Sequence, residues 1–314
     1  MVYVYNNTMQ KAVLIILLTL LISILSCASS IEAAELFEIG MAYFELGKYE
    51  EAEKWLNRAR NSNRTMTASQ YNLGRIAFEQ ERYEEAAGHF EDVLKRDPNN
   101  VLALRAAAYT RIKSDNIDKA EKHYAKLLEL VPESSDDGHN HALVLFAMGR
   151  HTEAEEVLEK YPLALLDNND VLLLYARSQA ASNKPQAIDS YSTWLNNNTD
   201  AKVRFEYAAL LEKGELYARA LEEYRKALTE IPTTSSLDKS EFVFAIARVL
   251  LIADSASNEG ITELQDAVKE GFNDIAALEE LINDRRISAA NRESIRIILN
   301  DLRSAHTDES TDTD

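Results

Sequence analysis

Six histidines are the residues of this 314-residue chain best suited to metal or proton chemistry. Three of them fall close together, in the run Asp136-Asp137-Gly138-His139-Asn140-His141 and at His151. Imidazoles and carboxylates hold zinc when three or four converge at tetrahedral spacing. Side chains two apart on a helix point in different directions, so His139 and His141 ligate together only if the segment is irregular. A polar start to a helix is the simpler reading. The chain has no helical HExxH, paired CxxC, GxGxxG, phosphate-binding P-loop or nucleophile-elbow GxSxG. Neither a catalytic residue nor a metal or cofactor site is therefore expected, and the chain reads as a non-enzyme. Its one cysteine, Cys27, rules out an intramolecular disulfide. With 52 acidic against 34 basic residues and a net charge of −18, nucleic acid is an unsuitable partner, since its binding rests on a basic footprint.

Apolar spacing shows which elements position these side chains. Tyr71, Leu73, Gly74, Ala77 and Phe78 form one helical face, and Tyr83, Ala86, Phe90, Val93 and Leu94 a second, stopped at Asp97-Pro98-Asn99-Asn100. Gly74 and Ala86 are small enough to let two antiparallel backbones approach. Such a hairpin cannot bury its apolar faces alone, and the sequence repeats it. Ala52, Ala86, Ala120 and Ala154 lie 34 residues apart, with Leu56, Phe90, Tyr124 and Leu158 four residues after each. Pro98 and Pro132 keep the same step. A fixed period of this length in helix–turn–helix units marks a repeat architecture.

On these residues the chain resembles the tetratricopeptide repeat family. Gly40, Gly74, Ala108 and Ala142 match its small first-helix position, and Ala59 and Ala227 its alanine late in the second helix. The register slips by one in a fifth unit around Ala176, Lys184-Pro185, Ala187 and Tyr191, recovers in a sixth from Ala208 to Pro232, and degenerates in a seventh through Ala247, Gly260, Leu264 and Ala267. Arg111, where a large apolar residue is expected, and the early stop at Tyr161-Pro162 mark irregular units. The resemblance implies an all-α, right-handed superhelical solenoid of six to seven helix hairpins over residues 34–270. Two short helices, residues 271–304, are expected to cap it, since arrays need a polar-backed end.

The ends of the chain read differently. Residues 1–26 have the grammar of a signal peptide: Lys11, then the apolar run Ala12 to Leu25, shorter than the ~20 residues a membrane span needs. Met9 is a second candidate start. Ile24-Leu25-Ser26-Cys27 looks like a bacterial lipobox, though Leu25 is larger than usual there. That resemblance makes Cys27 the lipidated residue, with 27–33 as tether; an ordinary signal cleavage or an uncleaved anchor are the alternatives. Ala28, rather than aspartate, implies the outer membrane, facing the periplasm. The chain is too acidic to adhere to anionic lipid electrostatically, so attachment rests on acyl chains. Residues 305–314 lack a long apolar side chain and are expected to be a disordered acidic tail.

In this family the first helices line a concave, partner-binding groove. Carried over, that groove holds Tyr71, Arg75 and Phe78; Arg105, Tyr109, Ile112 and Lys113; His139, Leu143 and Phe146; Leu173 and Arg177; and Phe205. The set is rich in arginine and aromatic residues, which are enriched at binding hot spots. It suits an acidic extended peptide, unless its cations pair with glutamates of neighbouring helices. The Lys-Asn carboxylate clamp of chaperone-binding members is missing, with Phe37 and Met41 in its place. The expected function is a scaffold for other cell-envelope proteins, anchored to the membrane only by lipid. The alternative is an accessory of periplasmic solute uptake, holding a solute-binding protein or a small ligand.

Overall fold

The computed structural model describes residues 32–63, 65–254 and 258–311, with side chains placed to residue 304. The expected signal peptide, the Cys27 lipidation site and most of the tether lie outside the described residues. All regular structure among the described residues is helical. The first helix, α1, covers residues 32–45. It is followed by α2 (Tyr49–Ala59), α3 (Met66–Glu79), α4 (Tyr83–Arg96), α5 (Val101–Lys113), α6 (Ile117–Leu130), α7 (Ser135–Ala147) and α8 (His151–Leu158). A short α9 (Pro162–Asp167) precedes α10 (Asn169–Ala181), α11 (Ala187–Asn197), α12 (Ala201–Lys213), α13 (Tyr217–Glu230), α14 (Lys239–Ala253) and α15 (Glu259–Lys269). The chain ends in α16 (Ile275–Asn283) and α17 (Ala289–Thr311). Two compact units divide it, one ending at Pro162 and the other starting at Leu163.

In the first unit the hairpins are α1/α2, α3/α4, α5/α6 and α7/α8. The α3/α4 pair shows what the repeat pattern accomplishes. Ala86, Ala87, Phe90 and Val93 form the buried stripe of α4, while Glu84 and Glu85 open it and Lys95 and Arg96 close it, as the helix dipole favours. A Cβ at Gly74 would stand 2.7 Å from the Phe90 ring, so glycine is what lets the pair close. The seams between hairpins are capped by short polar residues: Asn100 accepts the Ala103 amide of α5, and Ser134 that of Asp137 in α7.

The six hairpins from α1/α2 to α12/α13 each turn through one residue in the left-handed region. Gly47, Glu81, Asp115, Gly149 and Asn183 take φ of 68°, 60°, 55°, 74° and 56°, and Glu215 takes 58°. The first five are 34 residues apart. The slip read in the fifth unit therefore falls after the turn: Lys184, Pro185 and Gln186 form a tightened start, so α11 begins only at Ala187, whose small side chain stands one place earlier in the repeat than Ala154 does. Both expected irregularities have a physical form. Arg111 is not a gap in the core; its guanidinium is 4% exposed and bonds Glu84 at 2.7 Å and Glu91 at 2.5 Å, across to α4. The stop at Tyr161 is a lid on α7, because a Cβ at Gly138 would sit 2.1 Å from its ring and its hydroxyl donates to the Pro132 carbonyl at 3.0 Å.

The second unit contains α10/α11, α12/α13 and α14/α15, then the α16/α17 pair. α14 is buried nearly all round, from Ser240 to Leu251. Its Val243, Phe244, Ala247 and Leu251 share one cluster with Leu264 of α15, Leu278 of α16 and Ile295 of α17. The all-α repeat fold expected from the sequence is the one observed, with seven hairpins before the final pair among the described residues. The cap differs from expectation in one respect: α17 continues through Thr311, into residues read as a disordered tail. No proline or glycine follows Gly271, so nothing in that stretch breaks the helix.

Candidate functional site

The first helices of the first unit bring several of the predicted residues onto one face. The 34-residue step stacks them in columns: Phe37, Tyr71, Arg105 and His139; Met41, Arg75, Tyr109 and Leu143; Phe44, Phe78, Ile112 and Phe146. Arg75 is exposed, its guanidinium carbon 4.5 Å from the centre of the Phe44 ring and its Nη1 donating to Asn72 at 3.0 Å. The Phe78 ring lies 5.6 Å from that of Tyr109, and Lys113 Nζ lies 5.6 Å from the centre of the Tyr109 ring. Between α3 and α5 these side chains open a cleft of about 130 Å³, lined by Arg75, Phe78, Glu79, Phe90, Ala106, Tyr109 and Thr110. Tyr109 is 45% exposed, and Leu102 and Leu143, on the same helical faces of α5 and α7, are also open to solvent. An arginine over an aromatic ring, beside an apolar slot, can hold a side chain and a carboxylate together.

Two of the other predicted cations, Arg105 and Arg177, are committed. Arg105 makes a bidentate pair with Asp137 at 2.7 and 2.6 Å, and the Ser134 hydroxyl donates to the same carboxylate at 2.7 Å. Burial pushes the Asp137 carboxyl up, but the Arg105 and Ser134 bonds outweigh it and hold its pKa below the usual carboxylate value. In the second unit Arg177 bonds Glu206 at 2.8 and 3.0 Å, with the Tyr191 hydroxyl on the same carboxylate at 3.1 Å. Phe205 and Leu173 pack into the core there, Phe205 4.6 Å from the Phe242 ring. Arg75, by contrast, has no carboxylate partner among the described residues. Glu79 is the one acid lining its cleft, and it is exposed.

The remaining predicted residues are half-buried supports. Tyr71 packs 5.3 Å from Phe90, Ile112 lies against the α5/α6 core, and Phe146 is 4.7 Å from the His151 ring. His139 is half-buried near the start of α7, while His141 is buried between α7 and α6, 3.6 Å from Glu121. Among the described residues no three histidine, cysteine or acidic side chains converge as metal ligands would. Sequence reasoning missed Phe44, the floor beneath Arg75. The signal was present, since Phe44 stands one repeat before Phe78.

Helix hairpins stacked at a fixed period, with an open face on their first helices, define a repeat scaffold for protein–protein contact. Three tetratricopeptide repeat models match residues 30–99, 77–140 and 138–160. A solved tetratricopeptide repeat protein from Parabacteroides merdae superposes with a TM-score of 0.51 at 21% identity, over 80% of this chain and 97% of that one. Residues 30–160 thus match the tetratricopeptide repeat family, whose members are generally scaffolds rather than enzymes. It is also 26% identical over 142 residues to an uncharacterized lipoprotein of Treponema pallidum, covering 45% of this chain and 72% of the relative. A 118-residue stretch is 26% identical to Hsp70-Hsp90 organizing protein 3 of Arabidopsis thaliana, covering 37% of this chain but only 21% of that protein. Among the described residues no helix is long and apolar enough to cross a membrane.

Proposed function

We propose that the chain is a non-enzymatic adaptor of the bacterial cell envelope, tethered by a lipidated Cys27 at the outer membrane and facing the periplasm. In this reading it grips an extended, acidic segment of another envelope protein along α3 and α5. One observation carries the binding part: Arg75 is free of any acidic partner among the described residues, over Phe44 and beside the cleft of Phe78 and Tyr109. A partner carboxylate would pair with that guanidinium, and an apolar or aromatic side chain would enter the slot. Tyr109 and Lys113 would extend the contact toward α7. The anchor is supported by the lipobox-like Ile24 to Cys27 and by the likeness to a lipoprotein.

Fluorescence anisotropy of a labelled acidic peptide library against the full-length chain tests the binding. Arg75→Glu should weaken the selected peptides about tenfold or more, and Tyr109→Ala by a smaller factor, with helicity unchanged. Equal binding by Arg75→Glu would move the interface off this face. The anchor is tested separately, by detergent-phase partition of the chain expressed with and without Cys27→Ser. Loss of the detergent-phase form is the expected result.

A further inference from the structure

A second cleft lies on a different part of the first unit, where the ends of α2 and α4 meet the start of α3. Its volume is about 620 Å³, and its polar lining includes Arg60, Thr67, Gln70, Asp92, Lys95 and Arg96. Three cations thus surround one carboxylate, in a chain whose net charge is −18. That carboxylate is already engaged: Asp92 accepts from Lys95 Nζ at 2.7 Å and from the buried Gln70 Nε2 at 3.0 Å. Arg60 and Arg96 are exposed and have no ion-pair partner among the described residues. The first turn of α3 joins the lining, and no side chain caps it, because the Thr65 hydroxyl turns away to the Ala59 carbonyl at 2.5 Å. The positive end of a helix therefore points into the same space.

Lys95 and Arg96 also complement the negative end of α4, which accounts for basic residues there. Arg60, at the C-cap of α2, complements that helix in the same way, but neither dipole accounts for both sets of cations facing one cavity, or for a helix start with the opposite dipole beside them. We propose that this cleft binds a phosphate group. The excess of positive over negative side chains matches a dianion better than a single carboxylate, and two guanidinium forks suit its tetrahedral oxygens. The volume exceeds what a bare phosphate fills, since a water's share of liquid volume is ~30 Å³. It leaves room for the group that carries the phosphate, either a soluble phosphoester or the headgroup of a phospholipid. The site is separate from the Arg75 face and stands or falls independently of it.

Isothermal titration calorimetry of the full-length chain tests the proposal with inorganic phosphate, glucose 6-phosphate, and vesicles of phosphatidylglycerol beside vesicles of phosphatidylcholine. The expected result is saturable binding of at least one phosphate-bearing probe. Arg60→Gln and Arg96→Gln should each weaken it about tenfold, the size expected for one charge-assisted contact. Arg75→Gln should leave it unchanged. Binding of the soluble probes assigns a phosphoester; binding of phosphatidylglycerol vesicles alone, lost in the Arg60→Gln, Arg96→Gln double variant, assigns the headgroup. Absence of saturable binding to every probe, equal binding by the double variant, or equal displacement by chloride at matched ionic strength would each overturn the proposal. Circular dichroism confirms that the variants fold, and Arg96→Lys, which keeps the charge but loses the fork, should fall between wild type and Arg96→Gln.

Discussion

The two units of this chain use one repeat grammar for opposite ends. In the second, inward-facing charges are consumed in closed sets. Glu206 is held by Arg177 and Tyr191, and Glu212 by Arg248 and Tyr224, while Arg204 is held between Glu223 and Glu230. The first unit leaves Arg75 and Lys113 against aromatic rings instead, beside an open cleft. It also carries every histidine of the described side chains, the sixth lying at residue 306. The contrast teaches that an arginine on a first helix says little about binding until its neighbours one repeat away are known.

The contrast can be broken most forcefully at Arg105, a committed cation of the first unit. Arg105→Ala strands an Asp137 carboxylate that is 1% exposed, and should cost about 3 kcal/mol in urea unfolding at pH 7. Because the folded pKa of Asp137 is depressed, the pair's contribution is present above the unfolded carboxylate value and is lost as pH falls through the folded one. The gap between variant and wild type should therefore shrink toward pH 3. An equal gap at both pH values would show that the loss is packing rather than charge.

Glu212→Ala should come next, at about 2 kcal/mol, because the Arg248 it strands keeps some solvent contact. Native-state hydrogen exchange should place the loss in α12 to α14. If the peptide affinity of the chain also fell, the division between a structural and a binding unit would fail.

Acid offers a gentler test. Burial depresses the pKa of His89, His123 and His141, partly offset by nearby acids including Glu85, Glu91 and Glu121 respectively. A depressed histidine favours the unfolded state once that state binds the proton, so stability is lost as pH falls from about 6.5 through the folded values. Exchange protection in α4, α6 and α7 should drop between pH 7.5 and pH 5, ahead of α12 and α14. His141→Asn should blunt the drop in α7. The smallest effect on stability belongs to Arg75→Glu, within about 0.5 kcal/mol, since that side chain is exposed and unpaired with acid.

How much of this the sequence disclosed depends on how local the cause is. Gly74 opposite Phe90, and Ala86 with its 34-residue echoes, are legible because backbone approach excludes larger residues at those places. The open Arg75 and the closed Arg177 look alike in sequence, since Glu206 is 29 residues further on and only the fold brings it within reach. Arg111 reads as a flaw for the same reason: its partners Glu84 and Glu91 lie 27 and 20 residues back. An opposite charge about one repeat away is the signal to seek, and Arg105 with Asp137 and Arg225 with Glu259 also carry it. Tyr161 misled because proline follows it, which marks a stop without saying what the last side chain covers.

The left-handed residue at each of the first six hairpin turns bears on how the chain can change over generations. Glu81, Asp115, Asn183 and Glu215 hold a conformation that favours glycine, where an ordinary L-residue carries a strain of about 1 kcal/mol. Glycine at Glu81 or Glu215 should relieve much of it, less glycine's own entropy loss on folding. The two turns lie in different units, so thermal unfolding of the double variant should show nearly additive gains of up to about 1 kcal/mol each. The array thus holds dormant robustness at regular intervals, at residues that line neither proposed cleft. A lineage could draw on it to tolerate harmful substitutions on those surfaces while a new partner was being tried.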